Sequence, residues 1–352
     1  MIEKDGLLFI GDPHLEARIP GFRKDDYPQV AVAKFAWCLK YARTNNLQPI
    51  LLGDLFHLPQ DNPNWLLARI IETISDFYGA GLPAIHGNHD VRENTRKPND
   101  SVSILFAGGH LRLLSEDAPW IGTIDGRRVV VGGTVWGERL PKEFLGVSRP
   151  PENGQLFADE SEDADLVAWI THHDILIPGY EEAGRIRPKR IPGIDLIVNG
   201  HVHRRLEPVR KDGTNWITAG NITRRARSDA SRAHIPAVVC VVPPTNTRVV
   251  KDDAIEAFEF ESQAGVAWSM RWVRVPHEPF DDVFHPEVIG DASEEETADG
   301  SAFIADLREL TQRKTDSGAG LITYLEQNVS QFDAEVADEI MRLAAEVTHS
   351  TQ

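Results

Sequence analysis

The chain has almost no cysteine. Cys38 and Cys240 are the only two in 352 residues, and both lie in apolar surroundings. A disulfide framework is therefore not expected, and a reducing, cytoplasmic compartment is. Long hydrophobic runs are also missing. The apolar stretch from Pro236 to Pro244 is far too short to span a bilayer. The N-terminal MIEKDGLLFIGD lacks the long uncharged core of a secretory signal. No membrane partner is expected. Internal repeats and extended low-complexity tracts are absent too. Basic charge is in deficit, with a formal net charge of −17. Taken alone, that disfavours a nucleic-acid partner.

The distribution of charge reads differently from its sum. From Lys251 to the end there are 23 acidic and 7 basic residues, whereas the first 250 residues hold 31 acidic and 30 basic. Inside that near-neutral part, Arg185 to Arg232 carries 12 basic residues against 4 acidic ones. A basic stretch in an acidic chain fits a local phosphate-binding face, with an unevenly charged solvated surface as the alternative.

What the chain does contain is a repeated pattern of short apolar runs that end in polar clusters. Leu7 to Gly11 ends in Asp12-Pro13-His14, and Pro49 to Gly53 ends in Asp54-Leu55-Phe56-His57. Leu82 to Val91 (LPAIHGNHDV) runs from buried-strand residues into Gly87-Asn88-His89-Asp90. Leu166 to Thr171 ends in His172-His173-Asp174, and Ile194 to Gly200 in His201-Val202-His203. Each cluster alone could be an ordinary turn, since Gly, Asn and Asp favour turns. Helical periodicity is expected for Pro28 to Asn45 and Pro63 to Tyr78. Further strands are expected at Arg128 to Gly133, Thr214 to Asn221 and Ala237 to Val242, with a loop over 138–164. Alternating buried strands and helices predict an α/β fold with a sheet covered on both faces. Beyond residue 250 come short β-like stretches from Ile255 to Val275. An acidic linker around Glu294 and helical patterns over Phe303 to Lys314 and Leu321 to Val347 follow. The expected division is 1–250, 251–292 and 293–352.

Parallel sheets place ligands at the carboxyl ends of their strands. Asp12, His14, Asp54, Asn88, His89, His172, His201 and His203 can therefore converge although they are far apart in sequence. Carboxylates, imidazoles and one amide oxygen suit borderline divalent metals such as manganese, iron or zinc. The absence of cysteine from the set disfavours a structural zinc site. The candidates exceed the needs of one metal. Two ions sharing a carboxylate are expected, an arrangement that clamps both oxygens of a phosphoryl transfer across about 4 Å.

The ordered blocks Asp12-Pro13-His14, Gly53-Asp54, Gly87-Asn88-His89-Asp90, His172 and Gly200-His201-Val202-His203 resemble the calcineurin-like metallophosphoesterase superfamily. The finer resemblance is to SbcD-type DNA double-strand-break-repair nucleases. It rests on GDLFH at 53–57, on Ala219-Gly220-Asn221-Ile222-Thr223-Arg224, and on the segment from Arg274-Val275-Pro276 to Asp281-Asp282-Val283. The resemblance implies a four-layer αββα sandwich with a small C-terminal α+β cap and a helical tail. It implies that Asp12, His14, Asp54 and His203 hold one metal and that Asp54, Asn88, His172 and His201 hold the second, with His173 as the alternative to His172. The ions would be manganese first, with magnesium, iron or zinc as alternatives. Water activated by the pair would attack phosphorus. His89 would protonate the leaving oxygen, Asp90 would orient His89, and His57 would contact the phosphate or assist the reaction.

Arg204, Arg205, Arg224, Arg225 and Arg227 follow site segments, where contacts to a DNA backbone would be independent of sequence. The implied activity is a manganese-dependent DNA phosphodiesterase, exonuclease or endonuclease, that processes ends in repair. The implied partners are DNA, an SbcC-type coiled-coil ATPase gripped by the C-terminal helices, and a second copy docked through the Pro28–Asn45 and Pro63–Tyr78 helices. The metal core does not choose substrates. A phosphodiesterase or phosphatase for a small nucleotide-like substrate is therefore the alternative, and a non-catalytic scaffold subunit a further one.

Overall fold

A computed structural model describes residues 2–20, 22–144, 146, 164–181, 183–246 and 254–285. The chain divides into two units. One comprises Met1–Ile19, Arg23–Arg225 and Asp229–Phe284, and the other Pro20–Phe22, Ala226–Ser228 and His285–Gln352. All elements below belong to the first. In the second, the His285 amide donates to the Phe22 carbonyl at 2.9 Å. The expected tail helices at 303–314 and 321–347, and most of the expected loop at 138–164, lie outside the described residues.

The first half is a run of parallel crossovers. β1 (Ile2–Lys4) and β2 (Gly6–Ile10) lead into α1 (Tyr27–Thr44) and β3 (Leu47–Leu51). Then come α2 (Asn64–Phe77), β4 (Leu82–Ala84), α3 (Ser101–Ala107) and β5 (Leu111–Leu113). Helix α1 starts where expected because the Asp26 carboxylate accepts from the Gln29 amide at 3.3 Å and a proline sits in the first turn. Its buried stripe, Tyr27, Ala31, Phe35, Cys38 and Ala42, repeats at three- and four-residue steps. The second half comprises β6 (Trp120–Ile124), β7 (Arg127–Thr134), β8 (Leu166–Thr171), β9 (Leu196–Asn199), β10 (Val209–Lys211) and β11 (Thr214–Thr218). The single turn α4 (Asp229–Ala233), then β12 (Ala237–Val242), β13 (Ala254–Glu261), β14 (Ala267–Arg274) and the short α5 (Phe280–Val283) complete it.

The strands form two seven-stranded sheets. One has the order β13-β14-β12-β2-β3-β4-β5 and the other β1-β6-β7-β8-β9-β11-β10. β2 to β5 are mutually parallel, as are β7, β8, β9 and β11. Strand alternation explains the layering. In β12, Val238, Cys240 and Val242 face the layer of α1 and α2, while Ala237, Val239 and Val241 face the opposite sheet. β2 divides in the same way, with Leu8 and Ile10 toward the helices and Leu7 and Phe9 between the sheets. Each fully buried valine, leucine, isoleucine or phenylalanine among them stabilises the fold by roughly 1.5–3 kcal/mol.

The expected α/β sandwich of the metallophosphoesterase type is what the strands build. Two details depart from the sequence reading. Among the described residues, the outer face of the second sheet is covered by extended segments carrying Phe144, Ile175, Ile177, Ile191 and Ile194 rather than by a long helix. The β-like stretch expected in a 251–292 cap supplies β13 and β14, which extend the first sheet through β12. No helix among the described residues is long and apolar enough to cross a membrane.

Candidate metal centre

The five polar clusters lie directly after β2, β3, β4, β8 and β9, and backbone hydrogen bonds tie the first two together. The His14 amide donates to the Asp54 carbonyl at 3.0 Å, the Leu15 amide to the Leu55 carbonyl at 2.8 Å, and the His57 amide to the Leu15 carbonyl at 3.0 Å. Four site residues other than glycine have left-handed backbones: Asp12 (φ 31°), His14 (45°), Asp54 (47°) and His201 (64°). Such conformations strain an L-residue and persist only where the surroundings overdetermine them. Glycine is needed at two points. Gly53 has φ 98°. A Cβ on Gly87 would stand 2.1 Å from Asp54 Oδ1 and 2.6 Å from His172 Nε2.

Asp54 is the centre of the arrangement. It is fully buried, and its Oδ1 accepts from the His89 amide at 2.8 Å. Its Oδ2 lies 3.1 Å from His172 Nε2 and 3.7 Å from His14 Nε2. Two groups of ligand atoms, each within 4.8 Å, share it: His14, Asp54 and His203, and Asp54, His172 and His201. His14 Nε2 and His203 Nε2 approach to 2.8 Å. Asn88 Oδ1 faces both His172 Nε2 (3.1 Å) and His201 Nδ1 (2.9 Å). Asp12 is fully buried, with Oδ1 3.7 Å from His172 Nδ1. It stands outside both ligand-atom groups.

The donor set fits divalent cations. Both oxygens of Asp12 and Nδ1 of His14 are buried with no hydrogen-bond partner among the described residues, and Oδ2 of Asp54 meets only the His172 and His14 rings. Carboxylate oxygens without donors are expensive to bury unless a cation completes them. Burial pushes the Asp12 carboxyl up to about 7, with the Asp54 charge adding to the effect. Burial opposes ionisation of Asp54 as well, but His172 and His14 hold it well below the usual carboxylate range. Burial alone would lower His172, yet Asp54 and Asp12 lift it to about 9. Burial and His203 push His14 well below its ordinary value. His14 is therefore a neutral imidazole, the form that binds metals.

The remaining expected residues divide. His172 rather than His173 faces the acids. His173 turns away, bonding the Thr171 hydroxyl and the Glu138 carbonyl (2.8 Å). The His57 and His89 rings stack at 5.1 Å, and both lie near His14. Asp90 does not orient the His89 ring. It is fully buried and accepts from the Phe56 and Gly87 amides, each at 3.0 Å, which pins the 87–90 turn to the segment after β3. The group that meets His89 Nδ1 is the His57 carbonyl, at 2.9 Å.

The arginines also depart from expectation. Arg224 is buried, donating to the His234 and Glu278 carbonyls at 2.9 and 3.1 Å. Arg225 pairs with Glu16 at 2.7 Å. Arg227 is buried beneath Phe22. Arg205 lies 3.4 Å from Glu256, and Arg204 remains exposed beside His203.

Two neighbours carried no role in the sequence reading. Asp174 Oδ1 lies 2.8 Å from His201 Nε2 and so fixes which ring nitrogen faces Asn88. The Trp136 ring stands 5.1 Å from that of His201 and 6.4 Å from that of His172. Both follow strand ends, Asp174 after β8 and Trp136 after β7, which was the signal available for them.

Comparison with solved structures finds similarity to a hypothetical protein from Thermus thermophilus. Identity is 15%, coverage is 77% of this chain and 100% of that one, and the TM-score is 0.39. A conserved uncharacterized protein of Streptococcus pneumoniae, described as a predicted phosphoesterase, matches at 10% identity. It covers 77% of this chain and 99% of that one, with a TM-score of 0.30. Vps29 of Chaetomium thermophilum matches at 15% identity over 78% and 97%, with a TM-score of 0.29. No curated protein matches the chain. The model of the calcineurin-like phosphoesterase family matches residues 7–205. That span contains every converging side chain from Asp12 to His203, and the chain belongs to this family.

Proposed function

We propose that the protein is a two-metal, manganese-dependent phosphodiesterase that cleaves DNA in end processing and repair. Family membership supports the coarser reading, a metal-dependent phosphoester hydrolase. The observation that carries the two-metal reading is the single carboxylate of Asp54 shared by two groups of ligand atoms. Asp12, His14, Asp54 and His203 would hold one ion, and Asp54, Asn88, His172 and His201 the other. Such a pair supplies Lewis acidity toward a phosphoryl oxygen and eases deprotonation of water.

The chain's own residues do the rest. Asp54 takes the His89 amide as a donor, so the turn bearing the acid is positioned by the same carboxylate that would be shared by the metals. His89 keeps Nδ1 on the His57 carbonyl, which leaves Nε2 to deliver a proton to the departing oxygen. Asp174 holds His201 from behind. DNA as the substrate is supported by the GDLFH segment, whose His57 stacks on His89. It is also supported by exposed Arg204 beside His203. An SbcC-type ATPase and a second copy of this chain remain proposed partners on the strength of the resemblance.

The test is cleavage of end-labelled single- and double-stranded DNA with manganese, magnesium or chelator, His89→Ala beside the wild type. Manganese-dependent cleavage lost in the variant is expected. Intact DNA alongside hydrolysis of bis-p-nitrophenyl phosphate would overturn the DNA reading and leave the phosphodiesterase standing.

A further inference from the structure

Away from the His/Asp cluster, a cleft of about 430 Å³ opens between α1 and the segment that leads from β14 into α5. One wall is apolar, with Val30 and Trp37 from α1. Lys34 from the same helix joins Arg23 and Arg224 as the cleft's three cations, alongside the acids Asp25, Glu278 and Asp282. Two are held by other groups. Arg23 grips Asp25 through Nε and Nη2 at 2.7 and 2.6 Å and lies over the Tyr27 ring. Arg224 is buried and spends its donors on the His234 and Glu278 carbonyls, which leave its charge uncompensated. Lys34 is different. Among the described residues its ammonium has no hydrogen bond and no carboxylate within ion-pair distance. The cleft's three acids leave it without an ion pair, although the Asp25 charge partly offsets its burial. Asp25 is taken by Arg23, and Glu278 and Asp282 are exposed.

A half-buried ammonium without an ion-pair partner, in one cleft with two fixed guanidiniums, calls for an anion. The volume suits a small molecule. We propose that this cleft is a second ligand site that takes a small molecule with an oxyanion head on Lys34, between Arg23 and Arg224, and an apolar planar body against Trp37 and Val30. Burial, with Arg23 and Arg224 adding to it, pushes the Lys34 amine down to about 8, so near that pH half of it is free to react.

Pyridoxal 5′-phosphate is the probe. Its aldehyde carbon and the Lys34 amine form an imine with loss of water, and borohydride reduces the imine to a stable secondary amine. Peptide mass spectrometry on the full-length, manganese-loaded protein locates each label, so phosphate bound elsewhere does not confuse the result. At pH 8, Lys34 is expected to be labelled roughly tenfold or more faster than exposed Lys24 and Lys40. Excess inorganic phosphate or benzoate is expected to slow that labelling. Protection by phosphate assigns a phosphate head, and protection by benzoate alone assigns a carboxylate on an aromatic body. Trp37→Ala is expected to weaken protection by benzoate more than by phosphate. Labelling of Lys34 no faster than that of Lys40, or labelling that neither anion slows, would overturn the proposal.

Discussion

Two clusters of charge in this molecule have opposite needs. At the strand ends, Asp12, Asp54 and Asn88 present oxygens to a ring of imidazoles, and both oxygens of Asp12 have no donor. In the cleft beside α1, three cations stand with three acids, yet Lys34 has no ion-pair partner among the described residues. Burial penalises both arrangements. The first is completed by a cation and the second by an anion. What differs is covalent economy: carboxylate and imidazole can bind a metal directly, whereas ammonium and guanidinium hold a ligand only through hydrogen bonds and field.

Asp54→Ala strikes this contrast where it is strongest. Loss of the shared carboxylate should abolish phosphodiester hydrolysis and release at least one metal per chain, read by elemental analysis. Unchanged metal content would mean that Asp54 is not shared. Gly87→Ala comes next, because its methyl would overlap Asp54 Oδ1. Activity should collapse, with stability lower by about 1–3 kcal/mol in denaturant titration. His89→Ala should lower turnover on DNA about 10²–10⁴-fold. It should cost far less on a p-nitrophenyl ester, whose leaving group needs no proton. Equal losses on both substrates would remove His89 from the acid role. Asp174→Asn should weaken metal binding about 10–100-fold while leaving the fold intact, measured by competition with a chelating dye.

The smallest effect belongs to the cleft. Burial depresses Lys34 to about 8 from an ordinary 10.5. Between those values the unfolded chain binds more protons than the folded one, so stability rises with pH there. Lys34→Met should therefore melt roughly 1–3 °C higher than wild type at pH 7, solvent screening keeping the gain small. The difference should close as pH approaches 10.5. Hydrolysis should not change. Loss of hydrolysis in Lys34→Met would show that the two clusters are one system.

The metal-site clusters were legible because each depends on local facts. A buried strand that ends in Asp54, or in His201 and His203, declares an exit from the sheet in its own residues. His172 and His173 were harder to separate, since adjacent side chains at a strand end point to opposite sides. Asn199 accepts from the His173 amide and the Glu138 carbonyl meets its ring, and both act across the fold. Asp90 was misread for a related reason. Its neighbour in sequence is His89, but the donors in reach are the Phe56 and Gly87 amides. The arginines after residue 203 looked like a basic face. Three of them are consumed by Glu16, by the His234 and Glu278 carbonyls and by packing against Phe22.

The sequence alone determined the strand–helix alternation, the residues offered at each strand end and the chemistry they share, because periodicity and residue type are local properties. Tertiary structure decided which ligand atoms meet, which arginines are spent internally, that β13 and β14 extend the β2 sheet, and that Lys34 faces a cleft without an ion-pair partner. Those outcomes depend on contacts between segments far apart in the chain, and no single segment carries the information about what will be packed against it.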